Sequence, residues 1–99
     1  MEYERRQDTL VVRLSGELDH CSAPQIRREL DRLIGDRTVR HLVLDLKRMA
    51  FMDSSGIGLI LGRYREMNGR GGTVAVTNMT PQVKRIFLMS GMNQVIPIL

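Results

Sequence analysis

Apolar residues in this chain repeat with two different periods by turns, first strand-like and then helix-like, from one end to the other. Thr9 to Ser15 (TLVVRLS) is dense in β-branched and apolar residues and reads as a strand, with Gln7-Asp8 turning back a short opening strand around Glu2 to Arg6. Ala23, Ile26, Leu30, Leu33 and Ile34 then recur at threes and fours, the spacing of one helix face. Ser22 and Gln25 stand in capping-box spacing ahead of that helix, and Gly35 is expected to end it as a left-handed cap. His41 to Leu46 (HLVLDL) is a strand of the type that parallel sheets bury beneath helices. A connection through Lys47 to Met52 leads to Asp53-Ser54-Ser55-Gly56 and a second helix bearing Ile57, Ile60, Leu61, Tyr64 and Met67, closed by Asn68-Gly69. Thr73 to Thr77 (TVAVT) is again a strand, and Thr80-Pro81 opens a third helix along Val83, Ile86, Phe87 and Ser90 that Gly91 stops. Val95 to Ile98 reads as a last short strand, confined to an edge by Pro97.

Strands separated by helix-length segments need crossover connections, and such connections are right-handed. The expected fold is therefore α/β: a mainly parallel sheet of four to five strands, three helices and a short antiparallel strand at the N-terminus. Ninety-nine residues without repeats or linkers make one domain, spanning 1–99. Cys21 is the only cysteine and His20 and His41 lack ligand spacing, so neither a disulfide, a metal nor a cofactor is expected. No run approaches the ~18 apolar residues of a membrane span. The charged start MEYERRQD lacks the apolar stretch of a secretory signal, which points to the cytoplasm and to no membrane insertion. The net charge of +4 raises the question of nucleic acid, but the arginines are dispersed among acids and only four aromatics are present, so direct nucleic-acid binding is not expected.

Chemistry concentrates between Phe51 and Tyr64, FMDSSGIGLILGRY. A strand-to-helix connection here presents a carboxylate and two hydroxyls where the first turn of a helix leaves its N–H groups unpaired. A phosphate on Ser54 is expected to find those donors and the positive end of the helix dipole. Gly56 and Gly58 are expected to leave the surface beside it bare, so that a partner's backbone or active site can approach. The plainer alternative is that Asp53, Ser54 or Ser55 is only an N-cap, although one cap does not need three such residues. A second cluster, Gly16-Glu17-Leu18-Asp19-His20, follows the first long strand. In a parallel sheet the loops after neighbouring strands share an edge, so Asp19 is expected near Ser54, with an exposed Ile57 beside them; a polar docking rim and an ordinary polar turn both fit.

Enzymatic patterns fail on the same residues. A nucleophile elbow wants glycine two places before the serine, where Met52 and Asp53 stand instead. Gly62 is followed by Arg63-Tyr64 and not by the lysine and hydroxyl of a phosphate loop. The spacing of Gly56, Gly58 and Gly62 misses the dinucleotide fingerprint by one residue, and Gly58 and Gly62, one turn apart, suggest close helix packing. A phosphate-accepting Asp45 or Asp53 would lack the second acidic cluster that holds magnesium. No catalytic residue is expected.

GELDH at 16 to 20, FMDSSGIGLILGRY at 51 to 64 and VKRIFLMSGM at 83 to 92 together resemble the anti-sigma factor antagonists of the STAS domain family, most closely the sporulation type. The resemblance runs in register along nearly the whole chain, and its most specific part is Asp-Ser-Ser-Gly, since antagonists of the general stress pathway more often carry threonine after the first serine. It implies a STAS fold and a non-enzymatic switch. Unmodified, the domain binds an anti-sigma factor that is also a serine kinase and so frees the sigma factor; phosphorylation of Ser54 turns it off, and a serine phosphatase resets it. Asp53, Ser55, Gly56, Ile57 and Gly58 are implied to shape the docking surface, with Asp19 contributing from the adjacent loop. The family pattern also continues past the final strand into a further helix, which in register lies beyond Leu99. A general-stress antagonist, a scaffold STAS domain and, from another class, a small nucleotide-binding α/β enzyme are the rival readings.

Overall fold

The computed structural model describes residues 1–99. Its strands are β1 (Glu2–Arg6), β2 (Thr9–Leu18), β3 (His41–Met52) and β4 (Thr73–Thr77), interleaved with helices α1 (Ala23–Ile34), α2 (Ser54–Gly69) and α3 (Pro81–Met89) and followed by a short 3-10 turn at Met92–Gln94. The four strands lie side by side in chain order. β1 is antiparallel to β2, and β2, β3 and β4 are parallel. The expected fifth strand is a single parallel bridge from Ile98 to Val76 beside β4. Pro97, which has no N–H to continue a ladder, accepts a bond from Val76 there, and Leu99 donates back.

Alternation along the strands sorts the sheet into two faces. Leu10, Val12 and Leu14 of β2, Leu42, Leu44 and Leu46 of β3 and Val74 and Val76 of β4 are buried in one core with Leu30 and Ile34 of α1, Ile60 and Met67 of α2, and Val83 and Phe87 of α3. His41, Val43 and Asp45 point to the other face and are half-buried. HLVLDL is thus a one-sided strand, and its apolar run differs from the doubly covered type because Asp45 and His41 sit on the open side.

β2 and β3 run further than their periodicity predicts. Lys47 to Met52 continues β3 instead of leaving it, pairing Ser15 with Arg48, Gly16 with Met49, Glu17 with Phe51 and Leu18 with Met52. Register breaks between Arg13 and Ser15 and between Gly16 and Glu17 replace the strict period of two. Leu46, Met49 and Met52 are consequently the buried positions, three apart, a spacing that hides a strand from periodicity. Gly16, at φ +85, supplies the left-handed backbone the distortion needs.

Helix ends also differ from expectation at α1. Gly35 is right-handed, at φ −60 and ψ −25, because the last carbonyl of the helix, that of Ile34, accepts from the Arg70 guanidinium, which also donates to the Val39 carbonyl. A side chain from the far end of α2 does what a left-handed turn would have done. The α3 start is as expected, with Thr80 Oγ1 accepting from the Val83 N–H and Pro81 in the first turn.

Candidate functional site

β2 and β3 end together. Leu18 and Met52 form their last pair, and the Asp53 N–H donates to the Leu18 carbonyl at 3.3 Å. The β2–α1 loop, with Asp19, and the start of α2, with Ser54, therefore leave the sheet at one edge, as the parallel topology requires.

Asp53 is the N-cap of α2. Its backbone is extended and its Oδ1 accepts from the N–H groups of Ser55 at 2.8 Å and Gly56 at 3.4 Å, while its carbonyl accepts from Gly56 and Ile57. Neither serine caps. Ser54 is exposed, at the first helical position, and its hydroxyl is bound to no other group of the chain. Ser55 is half-buried and faces a groove between α1 and α2. Asp53 thus takes the N–H groups of Ser55, Gly56 and Ile57, and of the first-turn donors only the Ser54 N–H is left without a partner in the chain.

The glycines divide sharply. Gly58 is exposed and an added Cβ would meet nothing within 4 Å, as expected of a bare surface. Gly56 is buried, and a Cβ there would lie 2.6 Å from Met52 Cγ, 2.8 Å from the Leu18 carbonyl oxygen and 2.9 Å from Leu18 Cγ. Gly56 thus brings the helix against the end of the sheet and is not part of the open surface. Ile57 is half-buried and packs against the core, so it offers one side of its side chain where full exposure was expected. Gly62, like Gly58, has open space in place of a close helix contact.

The β2–α1 loop is organised by Asp19. Its Oδ1 accepts from the N–H groups of Ser22 at 2.9 Å and Cys21 at 3.0 Å. The Ser22 backbone bond foremost, with the Cys21 bond and the Ser22 hydroxyl in support, holds the Asp19 carboxyl below the usual range although desolvation opposes it. Ser22 does not form the predicted capping box. It is helical in backbone, makes no side-chain cap, and its Oγ donates to the Glu17 carbonyl at 2.7 Å. As an acceptor its Oγ takes the Asp19 N–H at 3.1 Å in place of a helix N–H. His20 and Cys21 are exposed at the tip, with Cys21 Sγ 3.6 Å from His20 Nε2. Asp45 lies on the open face of the sheet, where its carboxylate accepts from the Lys47 N–H. No three His, Cys, Asp or Glu side chains converge as metal ligands would.

Sequence reasoning missed the apolar flank of this edge. Phe51 at 48%, Ile86 at 38% and Met89 at 74% exposure line a groove between the end of β3 and α3, beginning one residue before Met52 and Asp53. The signal was present in Phe51 and Ile86, but a phenylalanine in a connection and an isoleucine at helical spacing do not reveal a shared exposed apolar face until the packing shows it.

The family model for the STAS domain matches residues 1–99. An anti-sigma F factor antagonist of Paenibacillus polymyxa is 47% identical over 99% of this chain and 84% of its own length. The solved anti-sigma factor antagonist SpoIIAA in its unphosphorylated form superposes with a TM-score of 0.83 at 36% identity, over 99% of this chain and 86% of that one. The phosphorylated form of SpoIIAA, described as a Bacillus cell fate determinant, gives 0.75 at 35% identity, over 99% of this chain and 89% of that one. The chain belongs to the STAS domain family, among its anti-sigma factor antagonists.

Proposed function

We propose that this chain is a sporulation-type antagonist whose Ser54 hydroxyl is the switch. Unphosphorylated, it docks on an anti-sigma factor through the α2 start and displaces the sigma factor held there. The partner is a serine kinase: the γ-phosphoryl group of its ATP passes to Ser54 Oγ, the hydroxyl proton leaves, and ADP remains. A separate serine phosphatase restores the hydroxyl by hydrolysis. The chain is binding partner and substrate, works in the cytoplasm, and contributes no catalytic group. No helix of it is long and apolar enough to cross a membrane.

One observation carries this reading: Ser54 is exposed at the first position of a helix whose capping is already done by Asp53. Its hydroxyl is free for another protein. Gly58 leaves room beside it, Ile57 offers a partial apolar contact, Ser55 and the buried Gly56 fix the turn, and Asp19 holds the neighbouring loop. Phe51 and Ile86 extend the surface as an apolar anchor. The relatives solved in unphosphorylated and phosphorylated forms support a switch of this kind. Phosphate adds about −1.5 to −2 charge next to Asp53, whose oxygens already engage the Ser55, Gly56 and Ile57 N–H groups, so repulsion and desolvation fall on the interface.

Incubation with the anti-sigma kinase and ATP, read by intact mass, tests the assignment. Wild type should gain one phosphate and Ser54→Ala none, with Ser54→Ala still bound by the partner. Ser54→Asp should weaken that binding at least about tenfold, equivalent to ~1.4 kcal/mol. Labelling of Ser54→Ala to the wild-type level would show that another residue is the acceptor.

A further inference from the structure

α1 and α2 do not close on each other along their length. One recess of about 700 Å³ between them opens at the Ser54 edge, with His20, Ala23 and Pro24 on one side and Ser55 and Gly58 on the other. A second, of about 230 Å³, lies towards the far ends of the helices, against Ile34, Gly35 and Glu66. Arg27, Asp31 and Arg63 line both, so these three stand where the two recesses meet. Helices packed at ordinary distance fill the space between them with side chains, but an added Cβ at Gly58 or Gly62 would meet nothing within 4 Å.

An ion pair spans the gap at that point. The Arg63 guanidinium of α2 binds the Asp31 carboxylate of α1, which also lies 3.7 Å from the Arg27 Nε. Further along, Arg70 donates to the Ile34 carbonyl and ties the last turn of α1 to the end of α2. The bridge is costly to the folded state. Arg63 is only 9% exposed, and its Nε is buried without an acceptor. Desolvation first, and then the charge of Arg27, lower the Arg63 pKa, with Glu66 drawing it back. A guanidinium keeps its proton at physiological pH, so the charge stays buried. Apolar side chains of similar volume generally serve stability as well or better than a buried ion pair. Stability is therefore a poor reason for this pair, and the distance it keeps between two helices is a better one.

That distance reaches the docking edge. α1 follows directly from the loop that Asp19 organises, and α2 begins at Ser54. Both helices leave the same edge of the sheet, so the gap between them sets the gap between the Asp19 loop and Ser54. We propose that the Arg63–Asp31 pair is a strut that holds α1 away from α2 and so positions the Asp19 loop beside Ser54 for the partner. The docking role rests on Ser54 being the acceptor of the anti-sigma kinase. Arg63 and Asp31 are positioning residues and touch neither the partner nor the phosphoryl group.

Arg63→Met combined with Asp31→Leu removes the strut without leaving a lone buried charge. Spin labels on the exposed Cys21 and on Arg65→Cys should then stand several ångströms closer, with stability to urea equal to wild type or higher. Phosphorylation by the anti-sigma kinase should show KM raised about tenfold and kcat unchanged, the mark of weakened docking with intact chemistry. The reversed pair, Arg63→Glu with Asp31→Arg, rebuilds the bridge and should return KM to within about twofold of wild type, where either change alone raises it. This comparison holds even where the apolar variant fails to fold. An unchanged label separation in the apolar variant would overturn the strut whatever the kinase does. A wild-type KM in that variant, or a reversed pair no better than its single changes, would overturn the link to docking. Wild type that gains no phosphate would instead overturn the Ser54 reading, and the docking role with it.

Discussion

Gly56 and Gly62 lie on one helix, less than two turns apart, and face opposite demands. Gly56 is wedged against Leu18 and Met52, where even a methyl group would overlap a backbone oxygen. Gly62 borders the open α1–α2 groove and touches nothing that a side chain would displace. The same residue type therefore marks a tight joint at one end and an unfilled space at the other. The joint fixes how the Ser54 turn sits on the sheet edge, and the space makes a groove beside it. Glycine in a helix interior costs about 0.5–1 kcal/mol relative to alanine, a cost with a packing reason at Gly56 and none at Gly62.

The contrast is sharpest under substitution. Gly56→Val should destabilise the fold by about 3 kcal/mol or more, because the Leu18 carbonyl cannot yield without breaking its bond from Asp53, and urea unfolding would show it. Asp53→Ala should cost about 1–2 kcal/mol through the lost cap while leaving the Ser54 hydroxyl in place. Gly62→Ala should stabilise by about 0.5–1 kcal/mol, and a loss of stability instead would mean that the groove is filled. The smallest effect concerns pH. Asp19, in the loop after Leu18, has its carboxyl held below the ordinary range, so its contribution is complete above that range and is lost as pH falls through the lowered folded value. The amide shifts of Cys21 and Ser22 should titrate below the ordinary aspartate value of 3.8, with those around Gly62 flat; a midpoint at the ordinary value would show the loop bonds to be weak.

Local chemistry was legible wherever a residue acts on its near neighbours. Thr80-Pro81 starts α3 as its composition predicts, and the period of α1 and α2 follows from their apolar spacing. Which of Asp53, Ser54 and Ser55 caps the helix was legible only once the bonds were visible, since all three residue types suit that role. The extension of β3 through Met52 was hidden because bulged pairing replaced its period of two. Gly35 was misjudged because its helix is closed by Arg70, 35 positions further on in the sequence numbering, through the carbonyl of Ile34.

Alternating periods and crossover lengths were enough to determine the α/β class, the mainly parallel sheet and the shared edge from which the loops after β2 and β3 leave, since those rest on repeat spacing and on the handedness of connections. Tertiary structure alone decided which glycine is a joint and which is a gap, that Asp53 takes the helix donors, and that Phe51 and Ile86 remain exposed. Each of those outcomes depends on how closely separate elements approach one another. Distance between elements is set by the packing of the whole core, which no local run of residues encodes.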